Sequence, residues 1–364
     1  ESGALNATGD AMTQTSVTEQ NLTDYLDAAR RGARLEAIDI AIQILEAGIP
    51  AEIIITDLLG AAQVAIGLGW QRNEWSVALE HRASGITESA LQAVTDAAMR
   101  LPGAPREGSL GSAVVACSEG EWHVLPARMS TEIMRLRGAD PVFIGPSVPA
   151  SDLAAMLGEH PPAAVAITCS MPMSLAGTWR SITAVRALGM TVICGGRGFG
   201  PGGIWGLALG ADAWAPTFTA GADLMLEAID APRREPRGPA GSAAAIEEIR
   251  IISRDREAIV EEATAMALAA WPYLRESDAA VRATREDLAN TLKMLSAATI
   301  TGGSSIVTDY VRWFESVLSA RSLPVSYCST AFDLLERVLP EQLQITRAMT
   351  AHGLGSCTAA PMPL

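Results

Sequence analysis

The hydrophobic positions of the first hundred residues repeat with helical spacing. Leu22, Tyr25 and Ala29 share one face of a first helix, and the same spacing predicts three further helices before residue 100. Short connections between helices of this length favour an up-down arrangement. We therefore predict a four-helix bundle over residues 20–106, preceded by a flexible tail at residues 1–19.

The pattern changes over residues 107–230. Short apolar runs such as SAVVAC, AAVAIT and TVICGG alternate with helical stretches. Strands that alternate with helices predict a parallel, Rossmann-like sheet with helices on both faces, which binds ligands beyond the carboxyl ends of its strands. Residues 231–242, rich in Pro, Arg and Gly, then predict a linker. Residues 243–364 return to helical spacing, so the fold class is α/β plus all-α.

Composition narrows the classes of partner. The 364 residues carry a net charge of −14, which argues against nucleic acid or an anionic membrane as the main partner. The five cysteines are scattered without a CxxC motif, which is typical of reduced thiols in a cytoplasm. By eye, no apolar run reaches the ~18–20 residues of a membrane span. We expect a cytoplasmic protein without a membrane partner.

Polar residues follow three of the predicted strands. Glu121 and His123 come after the first strand, Thr168 and Ser170 close a second, and the glycine pair 195–196 closes a third. A histidine at a loop is a candidate metal ligand, and a carboxylate two residues before it can hold its other ring nitrogen. Glycines let a ligand approach the backbone closely.

This set resembles the cobalamin-binding fold, whose pattern is Asp-x-His-x-x-Gly, then Ser-x-Leu or Ser-x-Thr, then Gly-Gly. The resemblance implies that His123 ligates cobalt from below, that Glu121 tunes the imidazole, and that Thr168, Ser170, Gly195 and Gly196 line the slot of the nucleotide tail. The sequence departs from the pattern twice. Glu121 replaces the usual Asp, and Pro126 replaces the usual Gly, which is expected to narrow the slot.

The segment GLGWQRNEWSVALEHRAS, residues 67–84, is similar to the cap of cobalamin-dependent light sensors. There a Trp and a Glu-His pair, ten and eleven residues later, cover the upper face of the corrin. The resemblance implies that Trp70, Glu80 and His81 shield an adenosyl group. Gln71 stands where the light-responsive regulators have a second cobalt-capturing histidine. The alternative is a Trp in the bundle core and a Glu-His pair on a helix surface.

The C-terminal residues are rich in aromatic side chains. They resemble a globin-like or phycobiliprotein-like sensory domain, and with the cobalamin module the chain is similar to photocobilins, which pair cobalamin with a linear tetrapyrrole such as biliverdin. The resemblance implies a second pigment held by the residues Tyr310, Arg312, Trp313, Tyr327 and His352. Cys328 would offer a thioether bond or be a packed thiol. The alternative for all the aromatic residues is core packing.

From these patterns we expect a light-sensing protein rather than an enzyme, in which photolysis of adenosylcobalamin rearranges the domains. Its signal would pass through homo-oligomerisation or an unknown downstream protein. The alternative is a corrinoid carrier for methyl transfer, with storage or trafficking as a third possibility. A mutase is disfavoured because the chain has no room for an additional barrel of ~250 residues.

Overall fold

The computed structural model describes residues 16–106, 108 and 110–362. Residues 1–15 of the predicted tail therefore lie outside the described part. The chain divides into two compact units. Of the described residues, one unit comprises 16–68 and 76–105, and the other comprises 69–75, 106, 108 and 110–362.

The first unit is helical, as its spacing predicts. It contains α1 (Glu19–Arg31), α2 (Arg34–Glu46), α3 (Ala51–Ile53), α4 (Ala61–Gln71) and α5 (Val77–Met99). A π-helical segment, Ile54–Gly60, joins α3 and α4 into one continuous helix, so four helices result. Thr18 and Asn21 form a capping box that starts α1, and Ser76 caps α5.

The helix Ala51–Gln71 supplies much of the core of this unit. Ile54, Ile55, Leu58 and Leu59 are fully buried. Of the most apolar 18-residue window of this helix, 39% is buried. By length and composition this helix also meets the criterion for a membrane span, although the sequence analysis found no such run. A core helix of a bundle meets the same criterion, so the feature is weak evidence for a membrane.

The second unit contains the predicted parallel sheet. Five strands, β1 (Ser112–Cys117), β2 (Asp140–Phe143), β3 (Ala164–Thr168), β4 (Thr191–Gly195) and β5 (Ala213–Ala215), are ordered β2-β1-β3-β4-β5 and all pair in parallel. Five helices connect or follow them: α6 (Val124–Leu136), α7 (Ala150–Glu159), α8 (Leu175–Ala187), α9 (Ile204–Ala208) and α10 (Phe218–Ile229). The predicted α/β class is confirmed for this part of the chain.

Five further helices belong to the described part of the second unit: α11 (Ala243–Ala270), α12 (Asp278–Thr301), α13 (Ser304–Ala320), α14 (Ser326–Val338) and α15 (Gln344–Ser356). One apolar core is continuous from the sheet to these helices, through Trp179, Leu295 and Phe332 among others. The likeness of this helical part to globins or phycobiliproteins stays a prediction.

The segment 231–242, predicted as a linker, packs against the sheet domain. Arg237 forms two hydrogen bonds with the carboxylate of Asp212, at 2.6 and 2.9 Å. The indole N–H of Trp179 donates to the carbonyl of Ala240 at 2.8 Å. The segment has no helix or strand, but these contacts hold it along the surface of the second unit.

Candidate functional site

The carboxyl ends of β1, β3 and β4 meet in one row. Cys117, Thr168 and Gly195 are register partners on these strands, so the segments that follow them leave the sheet side by side. The strand order reverses between β1 and β3. Such a reversal opens a crevice at the carboxyl edge, where doubly wound sheets bind ligands. The residues predicted from the strand ends therefore flank the place where the fold favours a ligand.

Glu121 connects the loop after β1 with the loop after β3. The residue is 1% exposed. One carboxylate oxygen lies 2.5 Å from Nδ1 of His123 and accepts the His123 backbone N–H at 2.8 Å. The other oxygen accepts the backbone N–H groups of Ser170 and Met171, at 2.6 and 3.2 Å. This carboxylate fixes the orientation of the imidazole and joins the two loops.

The protonation of Glu121 follows from these contacts. Burial alone raises the pKa of a carboxyl group, but the hydrogen bonds from His123 and from the Ser170 backbone outweigh burial and hold the pKa of Glu121 below its ordinary value. The side chain is therefore an anion at neutral pH. Because an anionic carboxylate only accepts hydrogen bonds, Nδ1 of His123 carries the hydrogen, and Nε2 is the nitrogen that would coordinate a metal.

His123 stands at the start of α6 as its N-cap residue, and its side chain is 59% exposed. Pro126 lies in the first turn of the same helix, where proline is tolerated. A metal ligand that is to receive a large planar group needs this combination of a fixed ring and an open side. The geometry of His123 fits the role that the resemblance implies.

The two glycines after β4 differ in their surroundings. Gly196 has φ 116°, and a Cβ there would lie 2.3 Å from the carbonyl oxygen of Cys169, so this glycine is required by the fold itself. A Cβ on Gly195 would meet nothing within 4 Å. Gly195 therefore borders open space at the carboxyl edge, which fits a slot for a ligand.

The hydroxyl groups take unequal positions. Thr168 is 5% exposed and its hydroxyl donates to the carbonyl of Ala116 at 3.5 Å, so it faces the sheet. Ser170 is half-buried, and its backbone N–H is held by Glu121. Of the pair, Ser170 is better placed to offer its hydroxyl to a ligand.

Two residues close to His123 along the chain were not predicted as part of the site. Trp122 is 71% exposed, an unusual exposure for an indole, and directly precedes the histidine. Glu119 forms a bidentate ion pair with Arg180 of α8, at 2.8 and 3.1 Å. Both residues lie in the run Ser-Glu-Gly-Glu-Trp-His, residues 118–123. The sequence signal for the ion pair was Glu119 itself, a second acidic residue two positions before Glu121.

Trp70, the first residue of the predicted cap, belongs to the second unit and contacts the C-terminal helices. Its ring stacks on Trp313 with centroids 6.4 Å apart, and the guanidinium of Arg321 lies 5.0 Å from the ring centroid. Arg321 also donates to the carbonyls of Trp70 and Gln71, and Gln71 donates to Ser316 at 2.9 Å. The alternative of a Trp inside the bundle core is not what the structure has.

Glu80 and His81 lie in the first turn of α5, in the other unit. The His81 side chain is 75% exposed, and its Nε2 lies 3.4 Å from a Glu80 carboxylate oxygen. The second Glu80 oxygen accepts from Ser84 at 2.9 Å. The pair is preorganised and open to solvent, and its role in a cap stays a prediction.

The residues predicted for a second pigment come together only in part. Tyr310 is buried, and its hydroxyl oxygen lies 3.0 Å from the Thr291 hydroxyl oxygen, at hydrogen-bond distance. Its ring stacks on Trp313 with centroids 5.9 Å apart. Arg312 is 75% exposed beside Asp309, and His352 is exposed with Nε2 2.8 Å from Thr308.

The remaining two residues of that prediction lie on α14. Tyr327 is half-buried, and Cys328 is fully buried beside Cys357. The structure thus brings Tyr310 and Trp313 together and leaves Arg312 and His352 at the surface. Biliverdin binding stays a prediction.

One comparison with known proteins concerns the helical N-terminal part of the chain. Residues 22–95 match the family model of the B12 binding domain. This helical part of the chain is therefore similar to a cobalamin-binding domain, for which a corrinoid is the implied cofactor. No curated protein matches the chain.

Among the solved structures that the chain matches are three proteins. A monomethylamine corrinoid protein from Methanosarcina barkeri shares 20% identity, covering 58% of this chain and 99% of its own, with a TM-score of 0.48. The methanol:cobalamin methyltransferase complex MtaBC from Methanosarcina barkeri shares 15% identity. The match covers 64% of this chain and 88% of the other, with a TM-score of 0.31. A cobalamin-binding protein from Desulfitobacterium hafniense DCB-2 shares 17% identity. The match covers 57% of this chain and 98% of the other, with a TM-score of 0.30. Likeness at this level supports no conclusion about activity.

Proposed function

We propose that this protein is a corrinoid carrier for methyl transfer, in which Nε2 of His123 would hold the cobalt of the bound corrinoid. The observation that carries the proposal is the Glu121 carboxylate, which is buried, anionic and bonded at once to the imidazole and to the loop after β3. A bound corrinoid would supply a cobalt that accepts and releases a methyl group. The protein's part is to hold the imidazole, orient it and keep its Nδ1 proton in place.

The surroundings of His123 support this binding mode. The imidazole is exposed at the crevice, and Gly195 leaves open space at the end of β4. Trp122 offers an exposed indole beside the ligand, a flat apolar surface of the kind that packs against a macrocycle. These residues surround one edge of the sheet and fit a large planar group with a pendant tail.

A carrier is favoured over a light sensor by the position of Trp70. Light sensing requires this indole to shield the upper axial group, but its ring is engaged by Trp313 and Arg321. Light sensing remains the second candidate because the Trp70, Glu80 and His81 spacing matches a sensor cap, and because Trp70 contacts the C-terminal helices directly.

The binding test uses the purified chain loaded with cobalamin and freed of excess cofactor by gel filtration. We expect one corrinoid per chain. In the Co(II) state of a chain labelled with 15N-histidine, we expect electron paramagnetic resonance with the hyperfine splitting of a 15N ligand, which the 14N base of the cofactor's own tail cannot give. His123→Ala should lose that splitting and most of the bound corrinoid. His160→Ala is the matched control, because this histidine is exposed at the end of α7 in the same unit. A His123→Ala protein with unchanged retention and spectrum would contradict the proposal.

The functional test separates the two candidates. The chain loaded with reduced, Co(I) corrinoid should take the methyl group of methyl iodide with release of iodide. It should then pass that group to a small thiol, which loses its proton to solvent, to give a thioether and the Co(I) form again. Illumination of the adenosylcobalamin complex should leave the elution volume of the protein unchanged. Trp70→Phe should leave methyl transfer unchanged. A light-dependent change of elution volume that Trp70→Phe abolishes would favour the sensor instead.

A further inference from the structure

Two thiols and a carboxylate from three separate elements meet in the C-terminal helical part. Glu315 lies on α13, Cys328 on α14, and Cys357 directly after α15. Their nearest ligand atoms all lie within 4.8 Å of one another. Neither the corrinoid site nor the predicted pigment site uses this cluster as a unit. We propose that Cys328, Cys357 and Glu315 form a binding site for one Zn²⁺ ion.

The distance between the sulfur atoms fits a tetrahedral metal. The two Sγ atoms are 3.8 Å apart. Two thiolates on a tetrahedral zinc with Zn–S bonds of about 2.3 Å stand ~3.8 Å apart, whereas a disulfide requires about 2.05 Å. The thiols therefore have the spacing of two metal ligands without any movement of the backbone.

The carboxylate is held in place for the same role. One oxygen of Glu315 accepts the backbone N–H of Thr358 at 2.8 Å, directly after Cys357. Such an outer hydrogen bond orients a ligating carboxylate. Two thiolates and one carboxylate are ligands that zinc accepts, and three protein ligands leave a fourth position for water.

Burial around the cluster suits a metal that enters from solvent. Cys328 is fully buried, while Cys357 and Glu315 are half-buried. The ion would join α13, α14 and the segment after α15. A hydrogen bond from the Met362 backbone N–H to the Thr330 hydroxyl already ties that segment to α14. Binding there is expected to stabilise the C-terminal helices against unfolding.

The test uses the reduced, full-length chain without an affinity tag that binds metal. Zinc content is measured after gel filtration, and Co²⁺ is added as an optical probe. We expect one Zn²⁺ per chain and, with Co²⁺, a thiolate-to-metal charge-transfer band. Cys357→Ser should remove most of that band, and both Cys357→Ser and Glu315→Gln should weaken binding by at least the ~10–100-fold that loss of an outer hydrogen-bond partner of a metal ligand costs.

The matched control is Cys194→Ala, which removes a buried thiol of β4 in the same unit. It should bind zinc like the unaltered chain. Circular dichroism of each variant without metal shows whether it folds, and Glu315→Gln tests the site should Cys357→Ser fail to fold. The proposal is overturned by reduced protein that takes up no stoichiometric metal, by Cys357→Ser binding with unchanged affinity, or by a thiol pair that only forms a disulfide on oxidation.

Discussion

Replacing Glu121 by Gln tests the candidate site most directly, because it changes the charge and one acceptor with little change in volume. The carboxylate accepts or faces four N–H groups, two on each oxygen. A glutamine amide has one oxygen, so two of the four N–H groups would face an NH₂ group. Each buried donor left without an acceptor costs about 1–3 kcal/mol. The sum is about 2–6 kcal/mol, and local relaxation should bring the loss of stability to about 3 kcal/mol.

Two measurements check this expectation. Urea unfolding followed by far-UV circular dichroism should show the loss of stability in the chain without corrinoid. Cobalamin titration should show affinity weakened ~10–100-fold, as for other outer partners of metal-bound histidines. Glu159→Gln, at the exposed end of α7, is the control and should change neither quantity. The reasoning would be refuted by Glu121→Gln within about 0.5 kcal/mol of the unaltered chain and with the same affinity.

The pH dependence adds a second check on the same residue. Because the pKa of Glu121 is lower in the folded chain than its ordinary value of 4.5, its contribution to stability is present above that value. The contribution is lost as the pH falls through the lowered pKa of the folded state. The stability difference between the unaltered chain and Glu121→Gln should therefore be constant near neutral pH and shrink below about pH 4.

Three further predictions concern other positions. Gly196→Ala should destabilise the chain by about 2 kcal/mol or more, because of its positive φ and a backbone clash, whereas Gly195→Ala should fold normally in urea titrations and bind cobalamin more weakly. Tyr310→Phe should cost about 1 kcal/mol through loss of the Thr291 hydrogen bond, measured by urea unfolding. Burial raises the pKa of Asp287 from its ordinary value of 3.8 to about 6, so ionisation of this carboxyl group destabilises the fold as the pH rises above 3.8. Asp287→Asn should therefore be more stable than the unaltered chain at pH 7 and equally stable near pH 3.

The sheet and the strand-end residues could be predicted because their signals are local. Apolar runs of four to six residues mark the strands, and polar residues or glycines that follow a parallel strand must lie at one edge. Glu121 beside His123 was predicted for the same reason, since two residues at a strand end stay close in any register. The position of the site therefore required no knowledge of distant contacts.

Contacts between distant segments could not be predicted. The second pair of hydrogen bonds to Glu121 comes from Ser170 and Met171, and it depends on how β1 and β3 are aligned. Cys328 and Cys357 read as scattered cysteines in the sequence, and only the packing of α14 against the end of α15 brings them together. Side-chain pairing across a fold depends on packing that no single stretch of sequence encodes.

The helix α13 links several of these features. Trp313 stacks on Trp70, Ser316 accepts from Gln71, and Glu315 faces the thiol pair. Segment 69–75, which α13 holds, continues along the chain into α5 with Glu80 and His81. In a carrier these contacts serve only to fix the segment, whereas in a light sensor they would have to break or shift on illumination. Coupling between the corrinoid site and the C-terminal helices requires two arrangements of α13, with each site favouring a different one. A change between two arrangements would alter the surroundings of Trp70 and Trp313. Tryptophan emission that is the same before and after illumination therefore argues for the carrier.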